Sequence, residues 1–517
     1  MRIPALIISL ATVQLAAGAG EPIDRQALVT RHNPVIRQVD YLAPLTVGNG
    51  GLAFTVDITG LQTFGPQYYE KGIPLETLAR WCWFTEDNPA GYTLDDAMVD
   101  YTLADGSIQA FPTRAGTPAS DWLRRNPRLH PMGQIALEWD KPDGSPFVPA
   151  DVADPEQTLD LWRGIITSRY KLGGVPVTVT TTCDPRSDTV AVHIESALVA
   201  ANKLRVVMAF PRGHDPAVKN TPPLDWSQPE AHESELTNGA ARGTSRILRT
   251  VGALTYEVSA SRAAKQVRPH EFRFEGDQRA SVLDLTVAFS RGTEGKPQRL
   301  PASKQIAERA TEHWSKFWRE GAAADFSGST HPLAAKLEDR IILSRYLTAV
   351  QCVGEVPPQE SGLTCNTWYG KHHTEMIWWH AAHFALWGRP DLLERNLDWF
   401  RSRLPGAREL AQSRRLRGAR WAKMVGPDGR ESPGGNPMIV WNQPHPIYLA
   451  ELVYRASPTA ETLARYRDLV LETAECLASM LHFDKARGQY VLGPPLWIAQ
   501  EIHEPATSQN PSFELAY

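Results

Sequence analysis

The stretch NTWYGKHHTEMIWWHAAHFALWGRPDLLERNLDWFRSRLPGARELAQSRRLRGARWAKMVGPDGRE, residues 366–431, combines helical periodicity, clustered tryptophans and the tetrad HHTE (372–375). Seven of the 16 tryptophans of the chain lie between Trp368 and Trp441. An aromatic face is a natural partner for the apolar face of a sugar ring, so this stretch predicts a sugar-binding site. The alternative is that these tryptophans only fill the core between helices.

The length and the net charge of the chain limit the classes of protein to which it can belong. A chain of 517 residues is too long for one ordinary core, so two large domains are expected. The net charge is −4 and the pI is near 6.4, which gives no basic surface for nucleic acid or for an anionic membrane. A small neutral ligand fits this composition better, and nothing in the sequence indicates the oligomeric state.

The first residues have the pattern of an export signal. Arg2 supplies a positive charge, residues 5–13 are apolar, and Ala17-Gly18-Ala19 forms a small-residue cleavage site. We expect residues 1–19 to be a signal peptide and the mature protein to be periplasmic or extracellular. No later apolar run reaches the roughly 18 residues of a membrane span. The five scattered cysteines predict neither a disulfide framework nor a metal knuckle.

The pattern of the chain changes near residue 300. Before it, short runs rich in Val, Thr and Ile alternate with turn residues, as in a large antiparallel β-sandwich. These runs are GVPVTVTTTC (174–183), TVAVHIES (189–196), LRVVMAF (204–210), ILRTVGALTYEVSAS (247–261) and SVLDLTVAFS (281–290).

After residue 300, apolar residues recur at helical spacing. The segments that show this are 302–320, 333–350 and 459–481. The last of them follows Ser457 and Pro458, which predicts a helix cap at Ser457 with proline in the first turn.

Several motifs after residue 44 resemble two families of glycosidases. LTVGNGGLAF (45–54) is similar to the LPIGNGRLGA opening of glycoside hydrolase family 95, and YGKHHTE (369–375) stands where family 65 has GHVFWDTE. RLPGARELAQSRRLRGARW (403–421) follows as in family 65, and QPHPIYLAELVY (443–454) resembles its QIHITADIAY. The segment from QYVLGPPLWIAQE (489–501) to NPSFELAY (510–517) resembles the one that carries the family's general acid.

This resemblance implies the six-hairpin fold, an antiparallel β-sandwich followed by an (α/α)6 barrel. The expected domains are residues 20–300 for the sandwich, 301–330 for a helical linker and 331–517 for the barrel. Six helical hairpins need well over 300 residues, so about half of the barrel is expected here. The chain therefore looks truncated, and the resemblance puts the catalytic base beyond Tyr517.

Glycosidases of this kind use two carboxyl groups, one as acid and one as base, about 6.5–9.5 Å apart when the enzyme inverts. Glu501, after the apolar residues 496–499, is the expected general acid, and Glu504 is the second choice. The family has Gly-Pro-Asp-Glu where this chain has GPPL (493–496), so the acid is displaced by several residues. The resemblance implies an inverting exo-α-glycosidase acting on α-linked di- or oligosaccharides.

Eight residues are expected to bind the sugar. In family 65 the positions of the tetrad hold the hydroxyls of the terminal sugar, and here they are occupied partly by histidine, which changes the pattern of donors and acceptors. The predicted substrate-binding residues are Trp368, His372, His373, Glu375, Arg420, Lys423, Gln443 and His445.

The sequence suggests three alternatives to this reading. The histidines between 372 and 383 offer zinc ligands, but their spacing does not match H-E-x-x-H, so no metal or other cofactor is expected, and His380 and His383 are predicted to pack between helices. Phosphorolysis would need an anion pocket that the sequence does not show, so hydrolysis is favoured. A glycan-binding protein without catalysis stays open, because Pro495 and Leu496 stand where the family has Asp and Glu.

Overall fold

The computed structural model describes residues 22–213, 225–238, 243–277, 279–292, 300–434, 436–499 and 501–517. The predicted signal peptide, residues 1–19, lies outside these described residues. No helix in the described ranges is long and apolar enough to cross a membrane.

Most of the strands precede residue 300, as the alternating pattern predicts. In chain order they are β1 (Val35–Ile36), β2 (Leu45–Gly48), β3 (Leu52–Val56), β4 (Thr77–Ala79), β5 (Trp83–Phe84), β6 (Val99–Thr102), β7 (Ile108–Phe111), β8 (Arg128–Leu129), β9 (Gln134–Trp139), β10 (Ala153–Asp160), β11 (Ile165–Leu172), β12 (Val175–Cys183), β13 (Thr189–Glu195), β14 (Leu204–Ala209), β15 (Glu233–Asn238), β16 (Ser245–Val251), β17 (Leu254–Ala260), β18 (Ala264–Arg268), β19 (Glu271–Phe274) and β20 (Val282–Arg291).

These strands form antiparallel sheets around one core. The largest sheet in the described part of the chain has the order β1-β10-β11-β12-β13-β20-β17-β16-β15, and a smaller one has the order β18-β19-β14-β9. Along β16 buried and half-buried residues alternate strictly, so one face of this strand is turned to the core. The run 247–261 forms two strands, because Gly252 has a φ of 53° and turns the chain between β16 and β17.

The helices dominate the rest of the chain. They are α1 (Arg25–Thr30), α2 (Gly65–Lys71), α3 (Pro118–Arg125), α4 (Ala197–Ala200), α5 (Ser303–Arg319), α6 (Ala334–Cys352), α7 (Ile377–Leu386), α8 (Pro390–Ser413), α9 (His445–Ala456), α10 (Ala460–Ser479) and α11 (Ser512–Ala516). Four short strands lie among the last of them: β21 (His372–His373), β22 (Met424–Val425), β23 (Leu481–Asp484) and β24 (Gln489–Leu492).

Helix α5 lies against the large sheet, and the following helices pack in pairs. Trp314, Phe317 and Trp318 of α5 are buried, and the indole N–H of Trp318 donates to the carbonyl oxygen of Leu161 at 2.7 Å. Helix α7 packs against α8, α9 packs against α10, and α9 also contacts both α7 and α8. A β-domain followed by paired helices is the predicted fold class, whereas the exact domain limits at residues 300 and 330 stay predictions.

The predicted cap of α10 is wrong by two residues. Thr459 caps the helix, because its side chain accepts a hydrogen bond from the backbone N–H of Thr462 at 3.1 Å. Pro458 therefore precedes the cap and does not occupy the first turn. A threonine in extended conformation directly before the helix offers its hydroxyl in the geometry that a cap requires, which Ser457 does not.

We predict that Gly164 is essential for the contact between α5 and the sheet. Its φ is 66°, and a Cβ at this position would overlap the indole ring of Trp314. Gly174 has a φ of 81° but open space around it, so it is the matched control. The left-handed backbone alone costs about 1–2 kcal/mol for alanine, and overpacking adds about 1–3 kcal/mol. In urea denaturation, Gly164→Ala should lose about 2 kcal/mol more stability than Gly174→Ala; equal losses would show that the contact does not constrain the fold.

Candidate active site

The tetrad at residues 372–375 is fixed to the segment that carries Lys423. Strand β21 pairs antiparallel with β22. Directly after β21, the backbone N–H of Thr374 donates to the carbonyl oxygen of Lys423 at 2.8 Å, and its hydroxyl donates to that of Ala422 at 2.8 Å. These bonds place the side chains of Glu375 and Lys423 next to each other.

A buried lysine anchors the same strand to the N-terminal part of the chain. The ammonium group of Lys371 is fully buried and donates to the carbonyl oxygens of Leu123 and Asn126 at 3.1 and 3.0 Å, and to the hydroxyl of Ser432 at 2.9 Å. Leu123 and Asn126 lie at the C-terminal end of α3, where carbonyl oxygens lack partners within the helix and attract cations. Burial lowers the pKa of Lys371 well below its ordinary value.

Glu375 is a buried carboxyl group with one cationic neighbour. It is 4% exposed, and its Oε1 lies 3.4 Å from Nζ of Lys423. Its Oε2 has no hydrogen-bond partner among the described residues. Burial raises the pKa of Glu375 to about 8, although the ammonium of Lys423 acts in the opposite direction. At neutral pH this carboxyl group therefore tends to keep its proton.

Glu501 is the accessible carboxyl group of the same cluster. Its side chain is 43% exposed, and its carboxylate forms a close ion pair with the ammonium of Lys423. The backbone of Glu501 has a φ of 60°, which is uncommon for a residue with a side chain and frequent at functional sites. Lys423 thus connects the buried Glu375 with the exposed Glu501. Glu504 lies apart from this pair, exposed, and caps its own turn by accepting the N–H of Ala506 at 3.3 Å.

The two histidines of the tetrad are buried and uncharged. The Nδ1–H of His373 donates to the carbonyl oxygen of Lys371 at 2.8 Å. His372 contacts the rings of Trp83 and Trp399 edge-on, with centroids 5.3 and 6.0 Å away, and its Nε2 has no partner in the described ranges. Burial lowers the pKa of each histidine to about 3. Their predicted contacts with sugar hydroxyls stay predictions.

Three other predicted sugar ligands form hydrogen bonds within the protein. Gln443 is bonded through its amide to the backbone N–H and carbonyl of Trp421. His445 donates from Nε2 to the carbonyl oxygen of Glu375 and accepts from the hydroxyl of Tyr517, both at 2.9 Å.

Arg420, the third of these residues, donates from Nη2 to the carbonyl oxygen of Pro437 at 2.6 Å. All three side chains are buried, so the structure gives them the task of holding the loops that carry Glu375 and Lys423. Their direct contact with a sugar stays a prediction.

Aromatic side chains extend the cluster toward solvent. Trp379 is 53% exposed, its ring lies 5.5 Å from that of Trp441, and Trp441 lies 4.9 Å from the ring of His445. Trp368, the predicted aromatic ligand, is half-buried with the guanidinium of Arg124 5.9 Å from its ring. The exposed aromatic side chain of this group is therefore Trp379, whereas Trp441 behind it is buried.

Sequence reasoning missed Trp379 and Lys371 as individual positions. A signal for Trp379 existed, because two consecutive tryptophans on a helix cannot both face the core. For Lys371 there was none, since its partners lie 248 and 245 residues away.

Within the described residues, no three His, Cys, Asp or Glu side chains are grouped so that they could hold a metal ion. His380 is buried in α7 and donates to the carbonyl oxygen of Glu360 at 3.0 Å, as expected of a packing histidine.

We predict that Glu375 makes stability depend on pH. The pKa of Glu375 is raised from 4.5 to about 8 in the folded state. Its contribution to the free energy of unfolding is therefore fully present below about pH 4.5 and is lost as the pH rises through about 8. Urea denaturation would be measured at about pH 5 and about pH 8. Between these two values the free energy of unfolding of the wild type should fall by at least ~1 kcal/mol more than that of Glu375→Gln, whose side chain cannot ionise. Glu504→Gln is the exposed control, and parallel pH profiles for all three proteins would disprove the burial effect.

The comparisons with known proteins were made on sequence and on structure. No protein-family model matches the chain, and no curated protein matches it by sequence. Among solved structures, it is similar to a protein from the human microbiome named as a kojibiose phosphorylase, with a TM-score of 0.58 and 11% identity over 87% of this chain and 58% of that one.

A second similar structure is a bacterial glucoamylase in complex with acarbose, with 12% identity over 86% of this chain and 61% of that one. Its TM-score of 0.42 is below the range that establishes a common fold. The chain thus spans about three fifths of the length of both solved structures. The likeness to the first shows that the chain shares the fold of that solved structure, in which an antiparallel β-domain is followed by paired helices, as the sequence predicts.

Proposed function

We propose that the protein is an exported glycoside hydrolase that removes sugars from the ends of α-linked di- or oligosaccharides with inversion, and that Glu501 is its general acid. The observation that carries this proposal is the cluster in which Lys423 connects a buried and an accessible carboxyl group. The exposed Trp379 lies in α7, the helix that follows Glu375 in the chain. Export rests on the signal-peptide pattern of residues 1–19.

Glu501 has the accessibility that a proton donor to a glycosidic oxygen needs. Its backbone N–H donates to the carbonyl oxygen of Ile498 at 2.9 Å, which holds the loop, and Leu496 and Ile498 are buried apolar neighbours.

Glu375 does not have the position of a catalytic base. Two oxygens that touch the same nitrogen cannot be about 6.5–9.5 Å apart, the separation that leaves room for an attacking water. We therefore assign Glu375 and Lys423 to positioning Glu501 and tuning its charge. The base of an inverting reaction has to approach the sugar from its opposite face.

The nearby aromatic groups and the named relative suggest where to look for a substrate. The exposed Trp379 offers an apolar face on which a pyranose ring could stack. Kojibiose is a reasonable first substrate, because the similar solved structure is named as a kojibiose phosphorylase. Reactions should be run with and without inorganic phosphate, since phosphate is the alternative nucleophile.

A second candidate function is glycan binding without catalysis. The carboxyl group of Glu501 is occupied by its ion pair with Lys423 and would have to leave it to reach a glycosidic oxygen. Pro495 and Leu496 also replace the acidic residues of the resembling family. Binding of an oligosaccharide without release of sugar would favour this second function.

We predict that Glu501→Gln lowers the kcat for α-linked disaccharides at least ~100-fold, because general acid catalysis typically contributes that much or more. Sugar binding should be retained, since glutamine preserves the size of the side chain. Glu504→Gln is the matched control, with an exposed carboxylate three residues further that lies outside the cluster. Reducing-sugar release and calorimetric binding would be measured on the same preparations. Equal kcat values for wild type and Glu501→Gln would remove Glu501 from the mechanism.

A further inference from the structure

The edge strand β15 is attached to the molecule by a buried histidine. Among the described strands it pairs with β16 alone, at the end of the largest sheet. From Asp225 to Asn238, a range that the structure describes without a gap, His232 is the only side chain that is buried, at 7% exposure. Leu236 is the one half-buried aliphatic residue of this range. The attachment of residues 229–238, which we name the β15 segment, therefore depends largely on the contacts of one imidazole ring.

Two stacked imidazole rings and one guanidinium group form these contacts. The ring of His232 stacks on that of His270, which lies between β18 and β19, with centroids 3.8 Å apart and planes at 26°. Arg249 of β16 is fully buried and donates from Nη2 to Nδ1 of His232 at 2.7 Å. A guanidinium group can only donate, so Nδ1 of His232 has to keep its lone pair. This contact exists only while His232 is uncharged.

The hydrogen bonds of His270 also have a fixed direction. Its Nε2–H donates to the carbonyl oxygen of Pro229 at 2.6 Å, so Nδ1 carries the lone pair of the uncharged ring. The hydroxyl of Ser234 donates to this Nδ1 at 2.7 Å and accepts from Nη1 of Arg249. Pro229 and Ser234 both belong to the β15 segment. Protonation of the two rings would remove the lone pairs that accept from Arg249 and from Ser234.

The surroundings of the two rings oppose their protonation. The titratable groups around them are Arg212, Asp225 and Arg249, with Arg268 and Glu271 flanking His270 and with Tyr256 and Cys82 next to Arg249. Burial, followed by the charge of Arg249, lowers the pKa of His232 to about 3, although Asp225 acts in the opposite direction. Burial also lowers the pKa of His270. Both rings are therefore neutral in the attached state at neutral pH.

We infer that this network is an acid-sensitive latch, in which protonation of His232 expels its ring and releases the β15 segment from the sheet. In the released segment His232 regains its ordinary pKa of 6.5. The attached state therefore keeps its full advantage above about pH 6.5 and loses it as the pH falls toward about 3. Release leaves backbone groups of β16 without partners at the edge of the sheet. All residues of the network belong to the β-domain, so the inference does not depend on the proposed hydrolysis.

The test is hydrogen exchange of the whole protein, followed by mass spectrometry and corrected for the pH dependence of the intrinsic exchange rate. Between about pH 7.5 and about pH 5, the opening equilibrium of the β15 amides in the wild type should rise at least ~10-fold. Amides of β11 and β12, in the interior of the same sheet, should stay protected. Unchanged opening of β15 would overturn the inference. An equal rise in β11 and β12 would overturn it as well, because the sheet would then unfold as a whole.

A variant at position 232 shows whether this histidine is the group that responds to acid. His232→Asn keeps an acceptor oxygen for Arg249 but cannot take up a proton, so the opening of β15 should be the same at both pH values. His503→Asn, at an exposed position, is the matched control and should respond to pH as the wild type does. A rise that persists in His232→Asn would assign the response to another group and overturn the inference. If His232→Asn does not fold, the wild-type comparison of β15 with β11 and β12 still decides.

Discussion

The buried ammonium group of Lys371 determines the geometry of the candidate site. A lysine without solvent is costly unless oxygens surround it, and here the free carbonyl groups at the end of α3 and a serine hydroxyl supply them. The strand that begins at the next residue is thereby fixed against the N-terminal domain. Glu375 follows on the same loop, so its position relative to Lys423 depends on an interaction made by another part of the molecule.

Because of this anchoring, the two carboxyl groups that contact the ammonium of Lys423 differ in their exposure to solvent. Lys423 contacts one carboxyl group whose pKa burial raises, that of Glu375, and another that is 43% exposed, that of Glu501.

The sequence predicts what depends on local periodicity and leaves out what depends on distant contacts. The alternation in β12 and β20 and the helical spacing in α5 are local, so these elements were predicted. Gln443 and His445 were expected to face a sugar because a motif shows the type of a residue and not its direction. In the structure their polar atoms bind other groups of the protein. The ion pair of Lys423 with Glu501 spans 78 residues and carries no local signal.

Proton NMR of the first sugar released from an α-linked disaccharide tests the central claim most directly. The spectrum reports bond cleavage and the configuration of the new anomeric centre before mutarotation mixes the two anomers. The account predicts release of the β-anomer from kojibiose or another α-linked glucose disaccharide, without added phosphate. Release of the α-anomer would contradict inversion, and binding without any release across the panel of α-linkages would contradict the hydrolase assignment itself.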